Sequence, residues 1–308
     1  MINENEQSEG LTRRKFIQNA GIAAGAGMVL SMPLAAKAAS FWKTDDPVTV
    51  KQIMNKFIAE VGVGNIPNTV DTLKSGSPDM VVTGVLTTMF ATIEMIRKAI
   101  GLGANFIIAH EPTFYNHEDK TDWLQNDDVY QYKANLLKEH NITVWRNHDY
   151  IHRHKPDGVT KAQLEQLQWT QYADKDTPNI LTIPRNSLKE LVAYLKRRLN
   201  IEMVRYIGNP EQICKRVLFM PGAPGGLRQI QGIEKVKPDV LVCGELSEWE
   251  TAEYVRDANA KGDKLSLVVL GHIASEEWGS QFMLKWLNKN FPNIKATHIS
   301  PGNSLKFM

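Results

Sequence analysis

Net charge and cysteine are two things that this sequence has little of. Its 308 residues include 36 Lys and Arg and 34 Asp and Glu, which gives a net charge of +2 at pH 7. This balance does not suggest a nucleic-acid partner or a membrane surface, since both attract strongly basic proteins. The only cysteines, Cys214 and Cys243, lie in or beside apolar runs. We expect buried free thiols, although an oxidising compartment would permit a disulfide between them.

The N-terminal apolar run is too short to cross a membrane. It extends from Ala20 to Leu34, whereas a spanning helix needs about 20 residues. Arg13 and Arg14 precede this run, and the small-x-small motif Ala36-Lys37-Ala38 follows it. Together these features are typical of a twin-arginine signal peptide at 1–38. We expect cleavage after Ala38 and export to the periplasm; an uncleaved anchor is the alternative.

The expected mature chain has 308 − 38 = 270 residues, at 39–308. Cleavage removes four basic and three acidic residues, so 32 basic and 31 acidic residues remain, a charge of +1. We expect no nucleic-acid partner and no stable membrane insertion after cleavage. The length is sufficient for one large domain or two modest domains with proper cores.

Short apolar runs rich in β-branched residues alternate with amphipathic segments of helical period beyond residue 40. This alternation is typical of strands joined by crossover helices. It predicts an α/β fold of two α/β halves with mostly parallel strands, at about 47–165 and 166–308. The predicted strands are 80–86, 105–109, 142–146, 179–183, 216–220, 240–243 and 265–270, and predicted helices include 89–103, 127–141, 187–200 and 247–262.

Histidines and carboxylates follow four of the predicted strands. Functional side chains of α/β sheets gather at the carboxyl ends of strands. These positions hold His110, Glu111, His148, Asp149, His152, His154, Glu245, His272 and Glu276. Imidazole and carboxylate are ligands of zinc, iron and manganese, so the set predicts a metal site. Each residue alone has a structural explanation, as a loop residue or, for Glu276, as a first-turn helix acid.

A familiar zinc motif is absent at His110-Glu111. The HExxH motif needs a continuous helix with a second histidine four residues after the first. Here Pro112 breaks a helix and Phe114 holds the second position. Two interpretations remain for the pair: a metal or catalytic site at a strand's end, or the start of an ordinary loop.

The motif Gly-His-Ile-Ala-Ser-Glu at 271–276 contains a glycine that permits a sharp turn. We expect the following helix to start near Ser275, so that the turn aims His272 and Glu276 at one point. This motif is similar to the closing Gly-His-Tyr-Ala-Thr-Glu of the Ngg-one-interacting-factor-three (Nif-three-like) family, also called type-two GTP cyclohydrolase I. The histidine and glutamate of that family motif are metal ligands.

Other segments resemble the same family. The strand before His110-Glu111 resembles a family strand followed by His-His-Pro, whose histidines are both ligands. The segment from His148 to His152 resembles the family's His-x-x-x-Asp, whose aspartate is a ligand. Glu245 falls on a Gly-Glu turn that lies beside the metals in the family.

The resemblance implies a two-domain α/β protein that binds two divalent metal ions (Zn, Fe or Mn) and forms a hexameric ring. The metal ligands that it implies are His110, Glu111, His152, His272 and Glu276, with Glu276 as the bridging carboxylate. Two positions depart from the family pattern, because Glu111 replaces a histidine and His152 replaces an aspartate. The total of three imidazoles and two carboxylates is kept, which predicts a working site with rearranged ligands. Asp149 and His154 stay open as alternative ligands from this loop.

Two metals with open positions favour metal-assisted hydrolysis of a small-molecule substrate, with His148 or Glu245 moving protons. GTP is disfavoured as that substrate, since an exported protein would meet little of it. A non-catalytic metal-binding oligomer, serving in storage or as a scaffold, is the alternative. A plain α/β binding protein without metals is a third hypothesis.

Overall fold

The computed structural model describes residues 47–306 and 308. The predicted signal peptide lies outside these residues, so export by the twin-arginine route stays a prediction. Among the described helices, none has both the length and the apolar character needed to cross a membrane.

Strands and helices alternate along the described chain. The strands are β1 (Leu73–Ser75), β2 (Val85–Thr88), β3 (Phe106–Ala109), β4 (Thr143–Arg146), β5 (Ile180–Ser187), β6 (Arg205–Ile207), β7 (Ile213–Met220), β8 (Val240–Cys243), β9 (Ser266–Val269) and β10 (Ala296–His298). The α-helices are α1 (Val50–Val61), α2 (Ile93–Gly101), α3 (Asp128–Glu139), α4 (Asp149–Arg153), α5 (Gly158–Gln166), α6 (Leu188–Leu199), α7 (Gly226–Val236), α8 (Glu253–Lys261) and α9 (His272–Asn290).

The strands form two five-stranded sheets, with the orders β1-β4-β3-β2-β10 and β5-β7-β8-β9-β6. In the first sheet only β1 is antiparallel to its neighbour. In the second, β7, β8 and β9 are parallel, and β5 and β6 are antiparallel edge strands. The predicted α/β fold with mostly parallel strands is confirmed. Strand β10 lies in the second predicted half of the chain, at 166–308, but it pairs with β2 of the first sheet.

The central strands are buried on both faces, as their apolar sequences predict. Every residue of β2, β3, β4, β8 and β9 is buried. Cys214 and Cys243 are buried free thiols, as expected. The strand predicted at 80–86 was wrong in its first half. Val82 donates its backbone N–H to Val48 at 2.8 Å instead of to a neighbouring sheet strand, and the strand begins at Val85.

Helix α9 carries two of the predicted ligands at its first turn. It begins at His272, directly after Gly271 with φ of 92°, so the start expected near Ser275 was wrong. His272 and Glu276 therefore lie one helical turn apart on one face. The helix packs on α5, where a Cβ at Gly279 would meet Cγ2 of Val159 at 2.7 Å. This close approach fixes α9 against the first sheet's helical layer.

Helix α3 contains a buried lysine, Lys133, whose ammonium donates to the carbonyl of Thr113. Burial lowers its pKa from 10.5 to about 8. Between those values the unfolded chain holds a proton that the folded chain has released, so stability contributed by this residue rises with pH.

We therefore expect the unfolding free energy of the wild type, relative to that of Lys133→Met, to rise by about 3 kcal/mol from pH 8 to pH 10.5. Chemical denaturation at both pH values measures the difference. Lys138→Met, at an exposed position of the same helix, should show no such change. An equal pH dependence of the two variants would contradict the lowered pKa.

Candidate metal centre

The predicted strand ends meet at one place. In the first sheet Ala109 pairs with Arg146, so the segments after β3 and β4 emerge side by side. In the second sheet Cys243 pairs with Val269, which does the same for the segments after β8 and β9. Helix α9 then joins the two sets of loops, because its first turn faces the loop after β3.

His272 lies between three carboxylates. Its Nε2 is 3.1 Å from Oε1 of Glu111 and 3.0 Å from Oε2 of Glu276. Its Nδ1 is 2.8 Å from Oε1 of Glu245. Glu111 and His272 are 161 residues apart in the chain, so the fold rather than local sequence brings them together. A Cβ at Gly222 would overlap the Glu276 carboxylate, which explains the glycine there.

His110 presents an unpaired nitrogen to the same place. Its Nδ1 lies 3.2 Å from the carbonyl oxygen of Asn147. Its Nε2 is buried at 3.5 Å from Glu276 and 3.9 Å from Glu111, and it has no hydrogen-bond partner among the described residues. A buried polar atom without a partner costs about 1–3 kcal/mol. A cation between His110, Glu111 and Glu276, whose donor atoms lie within 4.8 Å of one another, would satisfy it.

The loop after β4 adds two more imidazoles. Donor atoms of His148 and His152 lie within 4.8 Å of each other and of a donor atom of His110. The two alternative loop ligands are engaged elsewhere. The Asp149 carboxylate accepts from the Thr69 hydroxyl at 2.8 Å and from the backbone N–H of Val70. His154 turns its Nδ1 to the carbonyl of Pro156, and its ring lies against Phe57 and Phe282.

The electrostatics of the cluster favour ionised carboxylates. Burial raises the pKa of Glu111, but the hydrogen bond with His272 and the neighbouring imidazoles outweigh it and lower the pKa to about 2. The pKa of Glu276 is held far below its usual range by His110 and His272, again against burial. Burial also opposes the charge of His272, yet its three carboxylate partners raise its pKa to about 12. A metal ion would displace that proton on binding.

Two buried charged residues that support the cluster were not predicted. Asp71 accepts backbone hydrogen bonds from His148, Asp149 and Tyr150 at 2.8, 2.9 and 2.8 Å, which fixes the start of α4. Arg146 is fully buried and donates from Nη2 to Oε2 of Glu111 at 3.1 Å. A charged residue ending the apolar run ITVWR was a signal for Arg146. No sequence signal indicated Asp71, since it lies 77 residues from His148, the first residue that it contacts.

The His and Glu groups could thus hold metal, and the donor set fits a divalent ion of the zinc, iron or manganese type. The placement brings together all five predicted ligands, with Glu245 behind His272 and His148 beside His110.

Comparison with known proteins identifies relatives and structures of the same fold. The chain is 24% identical over 259 residues to the GTP cyclohydrolase 1 type 2 homolog of Escherichia coli strain K12, covering 82% of this chain and 97% of that protein. Among solved structures, it shares its fold with Staphylococcus aureus protein SA1388 (TM-score 0.66, 20% identity, 85% and 99% covered). It also shares the fold of a Bacillus cereus protein related to NIF3 (TM-score 0.67, 15% identity, 85% and 99% covered). Residues 69–302 match the model of one family, and the chain therefore belongs to the Duf34/NIF3 (NGG1p interacting factor 3) family.

Proposed function

We propose that this protein is a metal-dependent hydrolase of a small molecule, with a dinuclear centre. The observation that carries the proposal is a pocket of about 530 Å³ with His272 and Glu245 in its wall. Its volume lies within the roughly 300–1,000 Å³ of small-molecule sites. A protein that only stored metal would need the ligands but no adjoining pocket.

Two groups of side chains would hold the ions. Glu111, His272 and Glu276 would hold one ion. His110 and His152 would hold the other, together with Glu276, whose Oε2 is 3.5 Å from Nε2 of His110. Glu276 is common to both groups, which suits a bridging carboxylate. Bound ions would supply polarisation of a carbonyl or phosphoryl oxygen and lower the pKa of a water molecule.

The residues of the pocket suggest how a substrate would be placed. Part of the pocket wall is apolar and is formed by Phe90, Leu246 and Val269. These side chains would hold an apolar part of the substrate and exclude water from it. The Phe90 ring also meets the His272 ring edge to face, with centroids 5.8 Å apart. The reactive group of the substrate would then lie at the His272 end of the pocket.

Glu245 would have two tasks. Its carboxylate holds Nδ1 of His272 at 2.8 Å, which fixes the ring so that Nε2 faces Glu111 and Glu276. Because Glu245 also lines the pocket and is about half exposed, it can accept a proton from the attacking water and return it to the leaving group.

The test is turnover by zinc- or manganese-loaded protein on a panel of esters, amides, phosphoesters and nucleotides. We expect hydrolysis that a chelator abolishes. Glu245→Gln should lower kcat roughly 100- to 10,000-fold, the range for loss of an acid or base. Metal content is measured on each variant, so that loss of metal is told apart from loss of proton transfer.

Glu253→Gln is the matched control, since Glu253 is on α8 and its carboxylate pairs with Arg256. It should leave both turnover and metal content unchanged. A fully loaded wild type that hydrolyses nothing on the panel would favour the non-catalytic metal-binding oligomer. Absence of metal uptake would favour the plain binding protein.

A further inference from the structure

Three imidazole rings form a nearly regular triangle beside the centre. The ring centroids of His110 and His148 are 4.9 Å apart, those of His148 and His152 are 4.9 Å apart, and those of His110 and His152 are 5.2 Å apart. His110 follows β3, whereas His148 directly precedes α4 and His152 lies one turn further on, within α4. Two separate elements therefore converge on this triangle.

Each of the three rings has one nitrogen engaged by an oxygen. Nδ1 of His110 faces the carbonyl of Asn147 at 3.2 Å, Nδ1 of His148 faces Asp149 at 3.0 Å, and Nδ1 of His152 faces Asp157 at 3.0 Å. An Nδ1–H that donates to such an oxygen leaves the lone pair of a neutral ring on Nε2. Carbonyls and carboxylates behind histidines in this way are the usual supports of metal-bound imidazoles.

Within the described part of the chain, none of the three remaining ring nitrogens, the Nε2 atoms, accepts a hydrogen bond from a donor. In neutral rings each Nε2 is only an acceptor, so the rings cannot hydrogen-bond to one another. Nε2 of His110 is buried without a partner, and Nε2 of His148 lies 3.8 Å from a carboxylate oxygen of Glu111, which is also an acceptor. A group of acceptors that face one another is stabilised by a cation between them.

We infer that His148 is a metal ligand that completes a three-imidazole site with His110 and His152. Asp149 and Asp157 orient two of these rings, and Glu276 reaches the site from α9. This inference rests on the proposed dinuclear centre and makes its two ion positions chemically unlike. Imidazole suits zinc, copper, iron and nickel, whereas carboxylate suits manganese and magnesium. The triangle would therefore take zinc, while the position at Glu111, His272 and Glu276 would accept the harder manganese more readily.

The test is metal binding by the full chain after chelator treatment, with Zn²⁺ and Mn²⁺ as the probes. Stoichiometry is measured by elemental analysis and affinity by competition titration. We expect His148→Ala to keep one zinc at wild-type affinity and to bind the second at least tenfold more weakly. Manganese binding should change little, because its position lacks His148.

Asp157→Asn is a second variant, chosen because it should fold even if His148→Ala does not. Asp157 caps α5 by accepting from the backbone N–H groups of Val159 and Thr160, and asparagine caps helices comparably well. Loss of the negative charge behind His152 should still weaken the same zinc roughly 10- to 100-fold. His154→Ala is the control from the same loop and should bind both metals as the wild type does.

The outcomes separate this inference from the proposed function. Unchanged zinc binding by His148→Ala and Asp157→Asn, together with loss of metal from Glu276→Gln, would overturn the three-imidazole site and leave the dinuclear centre standing. A wild type that takes up no zinc would overturn both.

Discussion

Methionine in place of Arg146 should lower the unfolding free energy of the metal-free protein by roughly 3–5 kcal/mol. The guanidinium is fully buried, and Nη2 donates to Oε2 of Glu111 at 3.1 Å. Removing it takes away one of the two cations beside the buried Glu111 carboxylate, which keeps only His272 at 3.1 Å. Asp119, whose Oδ2 is 3.6 Å from Nη1 of Arg146, keeps its ion pair with Lys74. The carbonyl oxygens of His110 and His117 also lose the hydrogen bonds that the guanidinium donates to them.

Urea denaturation of three variants tests this expectation. Arg205→Met removes an arginine whose ion pair with Glu248 is exposed, and it should cost less than about 1 kcal/mol. The double variant Arg146→Met with Glu111→Leu should recover most of the stability, because an apolar pair can replace a buried ion pair at little cost. Similar losses for Arg146→Met and Arg205→Met would show that Arg146 does not carry the buried charge of Glu111.

Arg146 should also matter for metal binding. Its hydrogen bond takes Oε2 of Glu111, so that Oε1 is the oxygen turned towards His272. In Arg146→Met the carboxylate is free to rotate, and zinc affinity should fall by the roughly 10- to 100-fold typical of an outer partner.

The sequence was sufficient to find the cluster because the rule behind it is topological. Parallel strands bring their carboxyl ends to one edge, so His110, Glu111, His148 and His272 could be grouped without knowing any distance. The fold class followed for a similar reason, since buried parallel strands are continuous apolar runs such as FIIA and VLVC. Both inferences depend on patterns that repeat over many residues.

What the sequence did not show depends on single contacts. Strand β10 has three residues, too few for a recognisable alternation, and its place beside β2 is set by α9. Asp71 supports the start of α4 from 77 residues away, and an isolated loop aspartate has no periodic signal. The helix start at His272 was missed because glycine at 271 permits both a longer turn and an immediate helix. Arg146 was counted as the end of a strand, although its charge in a buried run required a partner.

Glu111, a predicted ligand that departs from the family pattern, has a physical partner in Arg146. With a histidine at 111, as in the family motif, a neutral ring would face the buried guanidinium of Arg146, whose remaining carboxylate partner would be Asp119 at 3.6 Å. The Glu111 carboxylate accepts a hydrogen bond from Arg146 with one oxygen and turns the other towards His272. The exchange at His152 has its own local support, since Asp157 lies 3.0 Å from its Nδ1. Glu111 and His152 therefore each have a local partner, and both contribute to the net charge of the cluster.

A double-mutant cycle on Glu111 and His152 should be strongly non-additive in metal affinity. Glu111→His alone leaves four imidazoles and one carboxylate among the five predicted ligands, and it removes the hydrogen bond between Arg146 and the Glu111 carboxylate. We expect it to weaken zinc binding at least tenfold. His152→Asp alone leaves two imidazoles and three carboxylates, which should shift preference from zinc towards manganese or magnesium.

The double variant restores three imidazoles and two carboxylates, so it should bind zinc more tightly than the product of the two single effects predicts. Residues that share one site typically show coupling of roughly 0.5–3 kcal/mol. Zinc affinity should not recover fully, because Arg146 has lost its hydrogen bond to the Glu111 carboxylate. Adding Arg146→Met to the double variant should raise zinc affinity further. Zinc stoichiometry and competition titration of all four members of the cycle measure the coupling. Effects that add within about 0.5 kcal/mol would mean that positions 111 and 152 act independently, and the balanced ligand count would then have no physical meaning.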